Sequence, residues 1–243
     1  MSYLLIIGAK SDIAKAVARE YAANGYDLYL AARGVDSLDD FATDLKIRYQ
    51  AAIKPLELDI LDYESHQRFY ESLDPEPEAV LLAVGYLGVQ EEAQRDFTET
   101  ETIIDTNYSG PVNLLNYIAN AFQARKDGTI IGISSVAGDR GRKSNYIYGS
   151  AKAAFSTYLS GLRNRLYDYN VHVMTVKPGF VATSMTKDMD LPEKLTAQPE
   201  EVAKIIFKAH EKKKNIVYIK WFWYWIMTII KAIPEFQFKK MDI

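Results

Sequence analysis

Short apolar runs alternate with segments of helical periodicity from Tyr3 to about Ile219. Apolar runs bounded by glycine or polar residues are typical of buried parallel strands, and the segments between them have helical length and spacing. The alternation predicts one α/β domain over residues 1–219, with a doubly wound, seven-stranded parallel sheet flanked by helices. The predicted strands are 3–7, 27–32, 53–58, 79–84, 129–134, 171–177 and 215–219. The predicted helices are 15–24, 35–49, 63–73, 98–125, 146–169 and 199–210.

The composition argues against several classes of protein. The net charge of −3 gives no general attraction to nucleic acid. The chain has no cysteine, which excludes disulfides, thiol catalysis and thiolate metal sites and fits a reducing, cytoplasmic location. His66, His172 and His210 have no metal-ligand spacing, so no metal site is predicted. No basic segment precedes the first apolar run, so we expect no signal peptide.

A glycine turn joins the first strand to the first helix. The segment Gly8–Ala14 follows the apolar run and leads into helical spacing. This order begins a nucleotide-binding βαβ unit, whose helix N-terminus offers free N–H groups and a positive dipole end to a pyrophosphate. Ser11 or Asp12 is expected to cap the helix. The motif is degraded, because Asp12 and Ala14 stand where further glycines are expected.

The residues that end the second and third strands favour NADP(H) over NAD(H). Dinucleotide sites for NAD often place a carboxylate after the second strand, whereas an arginine accommodates a 2′-phosphate. Arg33 occupies this position, and Lys10 is expected nearby. The alternative is that Arg33 is a solvated residue at a strand end. Asp59, after the third strand, is placed to contact an adenine edge.

Tyr148 and Lys152 are four residues apart, which puts both side chains on one face of a helix. A phenol has an ordinary pKa of about 10, and an adjacent ammonium is expected to lower that pKa toward the working range. Ser135 ends the fifth apolar run, at the edge where open α/β sheets bind ligands. The three residues indicate proton transfer at a carbonyl or alcohol; the alternative is a chance spacing.

Asn107 lies within the long helical pattern of residues 98–125. An asparagine at that depth either disturbs the helical backbone or holds a water molecule. The alternative is an ordinary core asparagine whose hydrogen bonds are satisfied.

Together these segments resemble the short-chain dehydrogenase/reductase family over nearly the whole chain. The matching positions are residues 8–14, Asp59, Asn107, Ser135, Tyr148, Lys152, Pro178, Gly179 and Thr183. The resemblance implies a Rossmann fold with a catalytic set of Asn107, Ser135, Tyr148 and Lys152. It also implies that the cofactor is bound by Gly8, Lys10, Ser11, Asp12, Ile13, Arg33, Asp59, Ile60, Ala83, Gly85, Tyr148, Lys152, Pro178, Gly179, Val181 and Thr183.

The chain departs from the family pattern at two places. The phosphate loop has lost two glycines, so the side chain of Asp12 must turn away from the diphosphate or cap the helix. Residues 82–85, Leu-Ala-Val-Gly, stand where the family usually has Asn-Asn-Ala-Gly. Neither change affects the catalytic set, which argues against a relative that only binds the cofactor.

The resemblance implies a mechanism in which NADPH delivers a hydride to a carbonyl carbon. Tyr148 would give a proton to the oxygen, and Ser135 would hydrogen-bond to that oxygen. Lys152 would hold the nicotinamide ribose and lower the pKa of the phenol, and oxidised cofactor would lower it further. Asn107 would keep a water that relays protons to Lys152.

Residues 220–243 form an aromatic and basic extension that contains all three tryptophans. The apolar run from Trp221 to Ile230 is too short to span a bilayer, which takes about 20 residues. A peripheral, in-plane membrane contact through Trp221–Ile233 at the inner face is the leading interpretation. The alternative is burial against another subunit or over the substrate pocket.

The leading hypothesis is an NADP(H)-dependent carbonyl reductase or alcohol dehydrogenase acting on an apolar or lipid-linked substrate. The alternatives are a soluble small-ketone or sugar reductase and a non-enzymatic dinucleotide-binding sensor. By resemblance, residues 98–125 and 146–169 are expected to form a homodimer or homotetramer. The substrate pocket is expected among residues 90–97, 139–144 and 185–195, the last as a lid, and residues 89–97 are expected to be a loop.

Overall fold

A seven-stranded parallel sheet forms the centre of the computed structural model, which describes residues 2–187 and 189–242. The strands in chain order are β1 Tyr3–Ile7, β2 Asp27–Ala32, β3 Ile53–Glu57, β4 Ala79–Leu82, β5 Gly128–Ile133, β6 Val171–Lys177, β7 Phe180–Val181, β8 Thr196–Ala197 and β9 Ile216–Tyr218. The order across the sheet is β3-β2-β1-β4-β5-β6-β9, and all neighbours are parallel. β7 and β8 pair separately. The predicted fold class is confirmed.

Helices cover both faces of this sheet. In chain order they are α1 Asp12–Ala23, α2 Asp39–Tyr49, α3 His66–Glu71, α4 Gln90–Ala93, α5 Phe97–Ile104, α6 Gly110–Arg125, α7 Tyr146–Leu166, α8 Pro199–Glu211, α9 Phe222–Ala232 and α10 Glu235–Phe238. Leu4 and Ile6 of β1 pack with α1, α2 and α8, whereas Leu5 and Ile7 pack with α6 and α7. Successive side chains of a strand therefore feed two separate cores, as a doubly wound sheet requires.

Three helical segments differ from the sequence prediction. Residues 63–73 contain a helix only from His66 to Glu71, because the preceding residues form turns in which Asp62 and Ser65 bond to nearby carbonyls. The predicted loop 89–97 contains α4, a single turn of helix. The predicted helix 98–125 is interrupted between α5 and α6 by a π-helical turn, Asp105–Ser109.

The C-terminal extension folds back onto the domain. Trp223 and Met227 of α9 are buried against Val136, which lies in the turn after β5. Arg140 fastens the end of α9, since its Nη1 donates to the carbonyl oxygens of Ile230, Lys231 and Ile233 at 2.6, 3.1 and 2.7 Å. Among the described residues, no helix has both the length and the apolar character that crossing a bilayer requires.

Candidate active site

The end of β5 and the start of α7 bring Ser135, Tyr148 and Lys152 together. Ser134, the last residue before the turn, donates from its hydroxyl to the carbonyl oxygen of Lys152 at 2.9 Å and bonds Ser156 at 2.7 Å. These bonds tie α7 to the end of the strand. The Lys152 Nζ lies 5.7 Å from the centre of the Tyr148 ring. The three side chains line one cavity of about 410 Å³, which we call the Tyr148 cavity.

Burial controls the proton affinities of this group. It raises the pKa of Tyr148 to about 12, although the Ser135 side chain is within hydrogen-bonding reach and acts in the opposite direction. Burial lowers the pKa of Lys152 to about 8, while its Nζ donates to the carbonyl oxygens of Ile133 and Val84 at 3.3 and 3.4 Å. The expectation that Lys152 lowers the pKa of Tyr148 is therefore wrong for the protein alone, because desolvation dominates.

Asn107 lies fully buried in the π-helical turn, behind the end of β4. Its Nδ2 donates to the carbonyl oxygens of Tyr86 and Ile103 at 2.6 and 2.8 Å, and its Oδ1 accepts from the Tyr86 N–H at 3.3 Å. A Cβ on Gly85 would lie 3.4 Å from that Oδ1 and 3.5 Å from the Lys152 Nζ. Two of the alternatives predicted from the sequence therefore both apply to Asn107. The hydrogen bonds of its side chain are satisfied, and it lies where the helical backbone is disturbed. Its role as a water holder stays a prediction.

The phosphate loop has a helix N-terminus without a glycine-rich cradle. Gly8 has φ +81°, and a Cβ there would lie 3.0 Å from the Ala83 backbone. Ser11 caps α1 by accepting from the Ala14 N–H at 3.2 Å. Asp12 instead accepts from the Ser184 N–H at 2.7 Å, so its carboxylate faces the segment after β7. The cap is Ser11, and the Asp12 side chain is held by the opposite wall of the site.

Basic residues gather where β2 ends. The Lys10 Nζ donates to the Arg33 carbonyl oxygen at 3.1 Å, and Arg33 Nη1 lies 3.8 Å from the Asp59 carboxylate, with both side chains largely exposed. Asp59 also accepts from the Leu61 N–H at 2.9 Å. Glu57 accepts from the N–H groups of Gly34 and Val35, and these bonds lower the pKa of its carboxyl. Within the part of the chain that the structure describes, the guanidinium of Arg33 therefore forms one long ion pair, with Asp59.

A second cavity of about 400 Å³, the Arg33 cavity, adjoins the Tyr148 cavity. The two share Lys10, Ser11, Ala83, Val84 and Gly85 in their walls, so they form one elongated site. Of the predicted residues, Gly8, Arg33 and Ile60 line the Arg33 cavity, and Asp12, Ile13, Ser135, Tyr148, Lys152, Pro178, Gly179, Val181 and Thr183 line the Tyr148 cavity. Asn107 and Asp59 line neither cavity. Asn107 lies behind Gly85, and Asp59 lies beside Arg33.

Sequence reasoning missed several residues of the Tyr148 cavity. Its wall also contains Leu87, Asn145, Phe180 and Trp223, besides Arg142 and Met189, which fall within the segments 139–144 and 185–195 expected to form the substrate pocket. Trp223 covers Gly179 so closely that a Cβ there would overlap its indole ring, and its Nε1 donates to the Leu195 carbonyl oxygen at 3.4 Å. The concentration of tryptophan in residues 220–243 was the available signal, but only the fold shows that Trp223 turns inward while Trp221 is 74% exposed.

Comparison with known proteins shows the family of this chain. The family described as short chain dehydrogenase matches residues 2–194. The chain is 35% identical over 241 residues to an uncharacterized oxidoreductase of Mycobacterium tuberculosis, covering 98% of this chain and 96% of that protein. It is 28% identical over 229 residues to the NADP-dependent 3-hydroxy acid dehydrogenase of Schizosaccharomyces pombe, with 88% of each chain covered.

The fold agrees as well. A short-chain dehydrogenase from Sphingobium yanoikuyae, solved in complex with NADPH, superposes with a TM-score of 0.85 at 22% identity, and 97% of each chain is covered. The family match spans most of the sequence, and the M. tuberculosis relative aligns with almost all of it. The chain therefore belongs to the short-chain dehydrogenase family, a family of oxidoreductases.

Proposed function

We propose that this protein is an oxidoreductase that transfers a hydride between NADP(H) and a carbonyl compound or secondary alcohol. The observation that carries the proposal is the group of Ser135, Tyr148 and the buried Lys152, in a cavity continuous with a basic cavity beside Gly8. A proton donor and a cation therefore lie at one end of an elongated groove, and a helix N-terminus lies near its middle.

The residues present fit NADP(H). Gly8 lines the Arg33 cavity with a left-handed backbone, φ +81°, that lets it pack against Ala83, and the N-terminus of α1 supplies N–H groups and a positive dipole end. Arg33 and Lys10 provide positive charge for a 2′-phosphate, and the carboxylate of the nearby Glu57 is occupied by the N–H groups of Gly34 and Val35. The NADP dependence of the S. pombe relative and the NADPH complex of the S. yanoikuyae protein support the same choice.

The chemistry follows from the proton affinities. NADPH, held by the cofactor-binding residues named above, would supply the hydride for the carbonyl carbon. Tyr148 keeps its proton at neutral pH and can donate it to that oxygen, while the Ser135 hydroxyl hydrogen-bonds to the same atom. The Lys152 ammonium stabilises the phenolate left behind, which regains a proton from solvent. Oxidation of the alcohol reverses each transfer.

The test is Tyr148→Phe, with Tyr158→Phe as a matched control. Tyr158 lies on the same helix, and its hydroxyl donates to Asn116 Oδ1 at 2.9 Å. We expect Tyr148→Phe to lower turnover by about 100- to 10,000-fold in a screen of ketones and aldehydes with NADPH, while NADPH affinity stays nearly unchanged. The control should retain turnover. Equal turnover in Tyr148→Phe and wild type would reject the catalytic assignment, and NADPH binding without turnover in the wild type would favour the sensor.

The walls of the Tyr148 cavity support an apolar portion of the substrate. Leu87, Val136, Phe180 and Trp223 contribute to them. The volume of about 410 Å³ must also hold a nicotinamide ring, which favours the alternative of a small ketone over a long lipid chain. A series of ketones of increasing chain length separates these two classes.

Membrane contact through Trp221–Ile233 is part of the proposal. Its support is the outer face of α9, where Trp225 and Ile229 are 57% and 66% exposed, next to the exposed Trp221. Lys220 contributes little, since its Nζ donates to the Thr196 carbonyl oxygen and lies 3.8 Å from Glu201. We expect Trp221→Ser combined with Trp225→Ser to reduce flotation with anionic vesicles while leaving turnover intact. If the double variant floats with the vesicles as much as wild type does, the membrane contact and its proposed inner-face location are wrong.

The division into residues 1–219 and 220–243 and the homodimer or homotetramer remain proposals. Trp223 supports a functional link between the extension and the domain, because it forms part of the cavity wall.

The long helices α6 and α7 are the proposed subunit contact. Light scattering of the purified protein measures the assembly directly, and a monomer at all concentrations would reject it.

A further inference from the structure

One cation in the Tyr148 cavity has no assigned task. Arg142 lies in the loop between the turn after Ser135 and the start of α7, and it lines the same cavity as Tyr148. Its side chain is partly buried, and its Nε is buried without a hydrogen-bond partner. Within residues 2–187 and 189–242, no carboxylate comes within salt-bridge distance of it.

Asp139, the acidic residue whose charge acts on Arg142, already has other partners. Asp139 exerts the one charge that acts noticeably on Arg142, but its carboxylate forms an ion pair with Lys177 and accepts from the Tyr218 hydroxyl at 2.7 Å. Burial lowers the pKa of Arg142, which shows that the protein alone does not compensate the charge fully. A partly buried guanidinium with spare N–H donors is suited to a carboxylate or another oxyanion.

Nearby arginines show the contrast. Arg140, two residues earlier, uses its guanidinium for three carbonyl oxygens and Glu235. Arg163 donates to the carbonyl oxygens of Val173 and Asn215. Both are structural. Asn145, at the N-terminus of α7, resembles Arg142 instead, because its side-chain oxygen is buried without a partner at the same cavity. A donor of Arg142 and an acceptor of Asn145 therefore lack partners in residues that line the Tyr148 cavity.

We propose that Arg142 binds an anionic group of the substrate, so that the protein acts on an oxo acid and the corresponding hydroxy acid in preference to neutral carbonyl compounds. This inference rests on the proposed function and specifies its substrate class. Arg142 lines only the Tyr148 cavity, whereas Arg33 lines only the Arg33 cavity, and Lys10 and Ser11 lie between them in the walls of both. The charge of Arg142 is therefore available to the substrate, and the apolar wall receives the carbon chain.

The experiment compares an oxo acid with its methyl ester in wild type, Arg142→Met and Lys143→Met. Lys143 is the matched control, because it is adjacent and cationic but exposed and paired with Asp242 at 2.7 Å. We expect wild type and Lys143→Met to prefer the acid. We expect Arg142→Met to raise the KM for the acid by about 10- to 100-fold and to leave the KM values for the ester and NADPH unchanged. If Arg142→Met raised the KM for the acid and the ester equally, or raised only the KM for NADPH, the assignment of Arg142 would be overturned.

A binding measurement separates this inference from the proposed function. In the presence of NADP⁺, excess hydroxy acid should raise the Tm of wild type and Lys143→Met more than that of Arg142→Met, whereas the hydroxy ester should raise the Tm of all three equally. If this pattern appears while wild type turns over no carbonyl compound, the anion site stands and the proposed function fails. If wild type reduces esters and acids equally and no Arg142-dependent Tm shift appears, the function stands and the anion site is wrong.

Discussion

Tyr148 holds its proton more tightly than a solvated phenol, and Lys152 more loosely than a solvated amine. Both effects come from the same loss of water, which disfavours the phenolate and the ammonium alike. The four-residue spacing of Tyr148 and Lys152 led to the expectation of a lowered phenol pKa, but such a spacing shows proximity and not burial. A phenol that stays protonated suits the donation step of carbonyl reduction.

The lowered pKa of Lys152 predicts an alkaline limb in activity. Above about pH 8 the amine loses the charge that stabilises a Tyr148 phenolate, so kcat/KM for NADPH should fall by up to about tenfold per pH unit. Initial rates with a saturating carbonyl substrate measure this profile. Lys152→Arg, which keeps its charge, should have lower activity without that limb. A wild-type profile that stays flat to about pH 10 would contradict the assignment.

Asp12 places a carboxylate beside the phosphate loop, where negative charge opposes a diphosphate. Asp12→Asn removes the charge and keeps an acceptor for the Ser184 N–H. We expect it to tighten NADPH binding by about two- to tenfold, measured by calorimetric titration. Asp12→Ala, which also loses the bond to Ser184, is the comparison. Weaker binding in Asp12→Asn would show that the charge itself aids the site.

At the scale of elements, α9 depends on Arg140. Its guanidinium satisfies three carbonyl oxygens near the helix end, pairs with Glu235 at 3.0 Å and lies 3.6 Å from the centre of the Phe238 ring. Because Arg140 follows Ser135 by five residues, the extension is attached close to the reacting groups.

Arg140→Ala should therefore release the extension before the domain unfolds. We expect cleavage within residues 222–238 to accelerate at least about tenfold in limited proteolysis, and the KM for substrate to rise as Trp223 loses its position. Arg125→Ala is the control, because Arg125 makes similar contacts to Pro77, Asp127 and Glu76 far from α9. If Arg140→Ala resisted proteolysis as well as wild type, the proposal that α9 depends on Arg140 would be refuted.

The strands were easier to predict than the helices. Apolar runs such as Tyr3–Ile7 and Val171–Lys177 have the predicted bounds, because a strand buried on both faces leaves a continuous signal. The π-helical turn at Asn107 and the short α4 depend on tertiary contacts, such as the bonds from Asn107 to Tyr86, which no periodicity records. Residues 139–144 were expected at the substrate pocket, but Arg142 could not be singled out within them, because a lone arginine in a polar loop is ordinarily solvated.

At the scale of the whole molecule, two histidines link stability to pH. His210 bonds the Tyr21 hydroxyl through Nδ1 at 2.9 Å between α1 and α8, and among the described residues both ring nitrogens of His172 are buried without a partner. Burial is the main cause of the lowered pKa of each. The unfolded chain, with histidine pKa near 6.5, therefore binds more protons than the folded chain in the mildly acidic range.

Stability should consequently fall as pH decreases through that range and level off below the folded pKa values. The urea midpoint at about pH 5.5 should be lower than at about pH 7.5, a window above the ordinary titration of carboxyl groups. His210→Gln should lower the midpoint at neutral pH but flatten its dependence on pH. A wild-type midpoint independent of pH over this window would mean that the histidines do not govern it.

The π-helical turn at Asp105–Ser109 has an evolutionary consequence. Such a turn holds one residue more than the α-helical turn it replaces, so a single deletion there would restore an unbroken ladder of backbone bonds. The same deletion would rotate α5 by about 100° against α6 and carry the Asn107 amide away from Tyr86 and Gly85. A shorter, regular helix would thus form more easily but would misplace Asn107. This loss explains why the irregular π-helical turn can persist.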